Sequence, residues 1–132
     1  MFNNSVSIII KIDSAFWRSP PHCERTITYE YTNTDKIETK IEYDKHGDTI
    51  IKITLHYNND DKIVKRVYWN ATEYYMEHFY FYENDKLTKE IINYTSENTI
   101  VITYYYNEKE LLKEEQISRN DKITKLTRYF YE

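Results

Sequence analysis

Five times along the chain an aromatic-rich run breaks at a short polar turn and restarts on a charged residue followed by an aliphatic one. The turns read Tyr31-Thr-Asn-Thr-Asp-Lys-Ile37, Tyr57-Asn-Asn-Asp-Asp-Lys-Ile63, Tyr82-Glu-Asn-Asp-Lys-Leu87, Tyr106-Asn-Glu-Lys-Glu-Leu111 and Ser118-Arg-Asn-Asp-Lys-Ile123. The same slot is filled by Asp35, Asp61, Asp85 and Lys109, at intervals of 26, 24 and 24 residues. An internal period constrains architecture more tightly than any single residue. Secondary turn signals fall between these sites, at Asp44-Lys-His-Gly-Asp48, Asn70-Ala-Thr72 and Ser96-Glu-Asn98. A turn therefore arrives roughly every 12 residues, the spacing of antiparallel strands joined by short loops.

The expected fold is all-β: a single antiparallel meander of about ten strands, as an open twisted sheet or a half-closed barrel. Strands are predicted near 6–12, 25–32, 36–43, 49–57, 62–69, 73–82, 86–94, 98–106, 110–118 and 122–131. Alternation supports them: Ile51, Ile53, Leu55 and Tyr57 share one face and Lys52, Thr54 and His56 the other, and Ile100, Ile102, Tyr104 and Tyr106 repeat the period of two. Residues 108–116 are rich in helix formers, so helix and strand both stand open there, with the repeat register favouring strand. One domain is expected over 1–132, with an N-terminal strand and irregular segment at 1–24 and hairpin repeats at 25–132.

Composition agrees with strands and against disorder: 17 % of residues are aromatic, 15 of them tyrosine, against one glycine. Lone Cys23 forms no internal disulfide, and Val6 to Ile10 is too short and lacks the charged start of a signal peptide, so a cytoplasmic location is expected. No segment approaches the apolar length of a membrane helix. The formal charge of −4 is mixed along the chain, which argues against direct nucleic-acid binding, since phosphate contacts want a clustered basic surface. Lys36, Lys62, Lys86 and Lys122 recur at one place in each repeat and read as turn-flanking residues that blunt strand pairing.

Tyr43-Asp44-Lys45-His46-Gly47-Asp48-Thr49-Ile50, followed after a strand by Tyr57-Asn58-Asn59-Asp60-Asp61-Lys62-Ile63, resembles the YD repeat: Tyr-Asp, two variable residues, Gly, one more residue and an aliphatic. Such repeats build the β-hairpin shells of Rhs and Tc toxins and of teneurins, and short orphan versions occur among immunity proteins beside polymorphic toxins. The resemblance spans about residues 25 to 131 and implies hairpin repeats; 132 residues are too few for an enclosing shell. Ten strands in about 130 residues also resembles the intracellular lipid-binding proteins. Their helix pair after the first strand has no counterpart in a segment holding Pro20 and Pro21, and barrel closure draws on glycine kinks where this chain has Gly47 alone.

Counting outward from Ile37, Ile63, Leu87 and Ile123, one face takes Ile41, Val67, Trp69, Met76, Tyr80, Tyr82 and Ile91 as core. The other face turns aromatic from the fifth to the eighth strand, with Tyr68, Tyr75, Phe79, Phe81, Ile92, Tyr94, Val101 and Tyr105. A contiguous apolar area rimmed by charge marks an interaction site, so these residues are the candidate partner-binding surface. No catalytic motif, cofactor site or metal site is expected: His22, His46, His56, His78 and Cys23 lack ligand spacing, and no nucleophile-elbow pattern occurs. The function expected is therefore a non-enzymatic protein-binding module, of the immunity or antitoxin kind, occluding a toxin domain such as a basic nuclease. A small-molecule carrier with a barrel lumen is the second reading. An open sheet also leaves room for a homodimer through its edge or its aromatic face.

Overall fold

Four loops of one design punctuate the chain, and their first residue explains them. Asp44, Asn58, Asn70 and Asn107 each turn a side-chain oxygen back to accept the backbone N–H groups two and four positions on, at 2.8–3.2 Å. The N–H of the same residue donates to the carbonyl four positions on, as from Asp44 to Asp48 at 2.9 Å and Asn107 to Leu111 at 2.9 Å. Closing so tight a loop puts the fourth residue in the left-handed region, at Gly47 (φ 87°), Asp61 (φ 58°), Glu73 (φ 63°) and Glu110 (φ 63°). The Asp and Gly of the YD-like motif are thus an amide clamp and a left-handed hinge, and three of the four hinges are acidic residues instead of glycine. The backbone donors of Asp48 and His46 hold the Asp44 carboxyl below its usual range. Two other turns, Asn84-Asp85 and Asn120-Asp121, have φ of 47–65° at both central residues, the two-residue hairpin turn suited to the strand twist.

The computed structural model describes residues 5–12, 25–32, 36–95 and 97–132, the first two stretches as backbone. The irregular segment with Phe16, Trp17, His22 and Cys23 lies outside them. Strands β1 (Ser5–Ile12), β2 (Arg25–Thr32), β3 (Ile37–Tyr43), β4 (Thr49–Tyr57), β5 (Ile63–Asn70), β6 (Tyr75–Glu83), β7 (Lys86–Tyr94), β8 (Thr99–Tyr106), β9 (Leu112–Arg119) and β10 (Lys122–Arg128) follow one another. Eight of them, β3 to β10, rather than the ten expected, are described with their side chains; β1 and β2 add backbone pairing. No helix occurs among the described residues, so none is long and apolar enough to cross a membrane. Residues 108–116 resolve into loop and strand, with Leu112 opening β9.

The chain divides into two compact units, Met1–Tyr75 and Met76–Glu132. In the first, β1 to β5 pair antiparallel in sequence order. In the second, β6 to β10 do the same, and in neither does the ladder return on itself to close. The strand contacts within each unit, such as β4 with β5 and β8 with β9, are between ladder neighbours. Each unit is consequently one layer deep, and among the described side chains only Glu42, 8 % exposed, is buried. Its carboxylate meets Lys40 at 2.7 Å on the same face, which is the condition for keeping a charge out of water.

Without a second layer, cohesion comes from bonds within the sheet. Five hairpins carry a bulge near the start of their second strand, one residue inside it at Ile50, Val64 and Lys113 and two residues inside it at Thr88 and Thr124. Beside the ladder ends, tyrosines reach back 19 residues: Tyr106 donates to the Leu87 carbonyl and Tyr131 to the Leu112 carbonyl, each at 2.7 Å, and Tyr57 to the Glu38 carboxylate at 2.9 Å. Leu87 and Leu112 lie two residues beyond the last paired position of their ladders, so the phenol satisfies a carbonyl that no strand reaches. The recurrent lysines join turn to turn. Lys36 holds the Asp61 carboxylate at 2.8 Å and Lys86 that of Glu110 at 3.2 Å.

Left-handed hinges cost a residue with a Cβ about 1 kcal/mol or more. Glu73, at φ 63°, is therefore expected to gain about 0.5–1 kcal/mol on Glu73→Gly, while Gly47→Ala loses a similar amount although nothing lies within 4 Å of the added methyl. Melting temperatures of the two variants check both signs. Tyr106→Phe should cost about 1 kcal/mol by denaturant titration, because it leaves the Leu87 carbonyl unpaired.

Candidate functional site

Side chains directly opposite on paired strands share a face, so the registers assign every residue of the second unit to one side. One side is crossed by a row of Phe79, Ile91, Val101, Ser118 and Ile123, one residue from each strand. The next row is Phe81, Lys89, Thr103, Gln116 and Leu126, followed by Tyr105, Glu114 and Arg128. Four of these are well exposed: Phe81 43 %, Tyr105 44 %, Leu126 46 % and Ile123 65 %. Charges border the apolar groups in defined positions. The Lys89 ammonium sits 5.3 Å from the centre of the Phe81 ring. Glu114 accepts from Arg128 at 3.0 Å and Gln116 at 2.9 Å, and these bonds hold its carboxyl below the usual range. An apolar row flanked by fixed charges is suited to burying partner side chains.

This surface is only part of the one predicted from alternation. Phe79, Phe81, Val101 and Tyr105 do share a face. Ile92 and Tyr94 do not: Ile92 is opposite His78 and Ile100, and Tyr94 is opposite Met76, all on the reverse side. Ile91, assigned to the core by counting from Leu87, instead lies on the Phe79 side. The cause is the bulge at Thr88. An extra residue between Leu87 and Lys89 inverts the face of everything after it, so counting in twos from the turn gives the wrong side for the rest of β7. Tyr68 and Tyr75 belong to the first unit. Tyr68 shares a row with Ile53 and Lys40 and meets Tyr74 edge-on, with ring centres 5.8 Å apart. Tyr75 is 38 % exposed at the start of β6.

The reverse side of the second unit holds a polar cluster that alternation did not reveal. Glu90 accepts from the Tyr104 hydroxyl at 2.5 Å through one oxygen and meets His78 Nε2 at 2.5 Å through the other. His78 Nδ1 lies 3.1 Å from the Tyr80 hydroxyl, and the two rings stack with centres 4.1 Å apart. Tyr80 is directly opposite Glu90, so His78 and Tyr104 reach the carboxylate along the diagonals of the ladder. His78 and Glu90 side chains are only 13 % and 12 % exposed. Burial, together with the hydrogen bond and charge of Glu90, holds the Tyr104 phenol protonated well above the ordinary tyrosine range. Both nitrogens of His78 are engaged, which favours locking over proton transfer or metal ligation. Among the described residues no three His, Cys, Asp or Glu side chains are grouped to hold a metal. The available signal was Glu90 itself, an acid in β7 on the face otherwise occupied by Ile92 and Leu87.

Removing the carboxylate would leave two donors unpaired, so Glu90→Ala should destabilise by about 2–3 kcal/mol and Tyr104→Phe by about 1 kcal/mol in denaturant unfolding. The phenol's pKa is raised on folding. Its contribution is thus complete below the ordinary tyrosine pKa and is lost as pH climbs through the raised one. Comparative ultraviolet titration should show that Tyr104→Phe removes a phenol ionising above the ordinary tyrosine range and leaves the native titration within that range unchanged.

No protein-family model and no curated protein matches the chain, so the Phe79 face and the Glu90 cluster carry the functional argument on their own geometry.

Proposed function

We propose that this chain is a protein-binding module of the immunity or antitoxin kind, acting in the cytoplasm by occluding a toxin domain and not by catalysis. The observation that carries the reading is the Phe79 face: Phe81, Tyr105, Leu126 and Ile123 are exposed on a hydrogen-bonded sheet that holds them in register without help from a second layer. Large aromatic side chains on a rigid support lose little entropy when a partner covers them, which is why such residues dominate interfaces. The resemblance of Tyr43 to Ile50 to YD-type repeats supports the immunity reading, and the net charge of −4 suits a basic toxin such as a nuclease. A lipid carrier is favoured less, because the ladder of each unit stays open where a lumen would need closure.

The test combines partner binding and folding in one variant. Co-expression of the natural chain with a basic nuclease toxin domain, taken from beside its gene where one is encoded there, should restore growth, and absence of any such toxin neighbour would count against the reading. Phe81→Ser should weaken toxin binding by about 2 kcal/mol or more while leaving the melting temperature nearly unchanged, since the ring is already 43 % exposed. Normal binding by a folded Phe81→Ser chain would remove the Phe79 face from the interface.

A further inference from the structure

The rows of the Phe79 side carry matching chemistry at their two ends, arranged about β8. The first row begins on Phe79 in β6, crosses Val101 in β8 and ends on Ile123 in β10; the second begins on Phe81 and ends on Leu126. Phe81, Ile123 and Leu126 are exposed, as is Tyr105 further along β8. Polar groups lie inward of these apolar ends, Lys89 on β7 and Gln116 with Glu114 on β9. A third row has opposite charges at its ends: Glu83, two residues beyond Phe81 on the same side, and Arg128, opposite Glu114. Both are exposed.

A twofold axis lying along β8, between two such faces, exchanges the ends of every row. Phe79 and Phe81 of one copy then meet Ile123 and Leu126 of the other, and Val101 meets its own counterpart. Lys89 comes over Gln116 beside Glu114, and Glu83 comes over Arg128, whose guanidinium has donors left after its bond to Glu114. Apolar ends thus meet apolar ends, and charges meet the opposite sign, which is the self-complementarity an isologous interface requires. Facing sheets cross at about 30°; at β6 and β10, about 10 Å from the axis, this moves a contact by about 5 Å, less than the ~7 Å between rows. The match involves only β8 and the two strands on either side of it, and it holds whatever continues beyond them.

We infer that a second copy of this chain covers the Phe79 face, packed face to face about a twofold axis along β8. The pair supplies each one-layer unit with the second layer that an apolar sheet face ordinarily has. A footprint five strands wide and three rows long measures roughly 24 by 20 Å. That is at the low end of stable interfaces, so the pair separates on dilution. A toxin bound to the same face would take the place of the second copy, but the inference does not rest on that reading, because it is tested on the chain alone.

Sedimentation equilibrium of the full chain should show a concentration-dependent monomer and dimer. Phe81→Ser and Leu126→Ser, both at exposed positions, should each weaken the dimer about tenfold or more, with circular dichroism and melting temperature near those of the natural chain. Charge exchange tests the axis itself. Glu83→Arg alone and Arg128→Glu alone should each weaken association, since either homodimer then opposes like charges twice. An equimolar mixture of the two variants should recover it as a heterodimer, in which both pairs have opposite signs again. A chain that stays monomeric at millimolar concentration would overturn the inference. So would a dimer indifferent to Phe81→Ser, which would place the contact on a sheet edge or the reverse side, or a mixture that associates no better than the separate variants. A monomer that still neutralises its toxin would sink the dimer alone, and a dimer that binds no toxin would sink only the immunity reading.

Discussion

The interaction on which the rest depends is a side-chain oxygen accepting two backbone N–H groups within a five-residue loop. Asp44, Asn58, Asn70 and Asn107 each make it, and each thereby sets where the following strand begins. The hinge in the left-handed region is its consequence, since the chain can reverse that tightly only by passing through positive φ. Glycine suits the hinge locally. Acidic residues fill it at Asp61 and Glu110, where the side chain meets the lysine of an earlier turn, so some of the backbone strain is offset by an inter-turn bond. These pairs are exposed and individually weak, and their worth lies in tying one hairpin to the next.

A sheet one layer deep must find stability without a buried interior. A domain ordinarily hides the apolar face of a sheet under a second layer. Here Glu42 alone is buried among the described side chains, and cohesion resides in the ladders, in the tyrosine-to-carbonyl bonds of Tyr106 and Tyr131, and in the Glu90 cluster. The two sides of the second unit divide these tasks. The reverse side binds its polar groups to one another around Glu90, while the Phe79 side leaves Phe81, Tyr105, Leu126 and Ile123 exposed. An exposed aromatic row on a hydrogen-bonded support has the form of a surface made for a partner.

Strand positions, turn sites and the all-β class were legible in the sequence because they follow from local chemistry. An Asn or Asp followed by a left-handed hinge reverses the chain wherever it stands, and alternation within one strand is a property of extended backbone, as Ile51, Ile53 and Leu55 illustrate. The ambiguity at 108–116 arose because Glu, Leu and Lys favour helix by themselves. The clamp of Asn107 and the pairing of β9 with two neighbours overrode that propensity.

What only the tertiary structure decided is which residues of different strands share a face. One bulge at Thr88 puts Ile91 beside Phe79 and sends Ile92 and Tyr94 to the opposite side, and no residue type announces a bulge in advance. The meeting of His78, Glu90 and Tyr104 was hidden for the same reason, since it runs along diagonals whose partners exist only once the register is set. Local hydrogen bonding determines where a strand starts, and pairing across the sheet determines which way its side chains face; the first is written in neighbouring residues and the second is not.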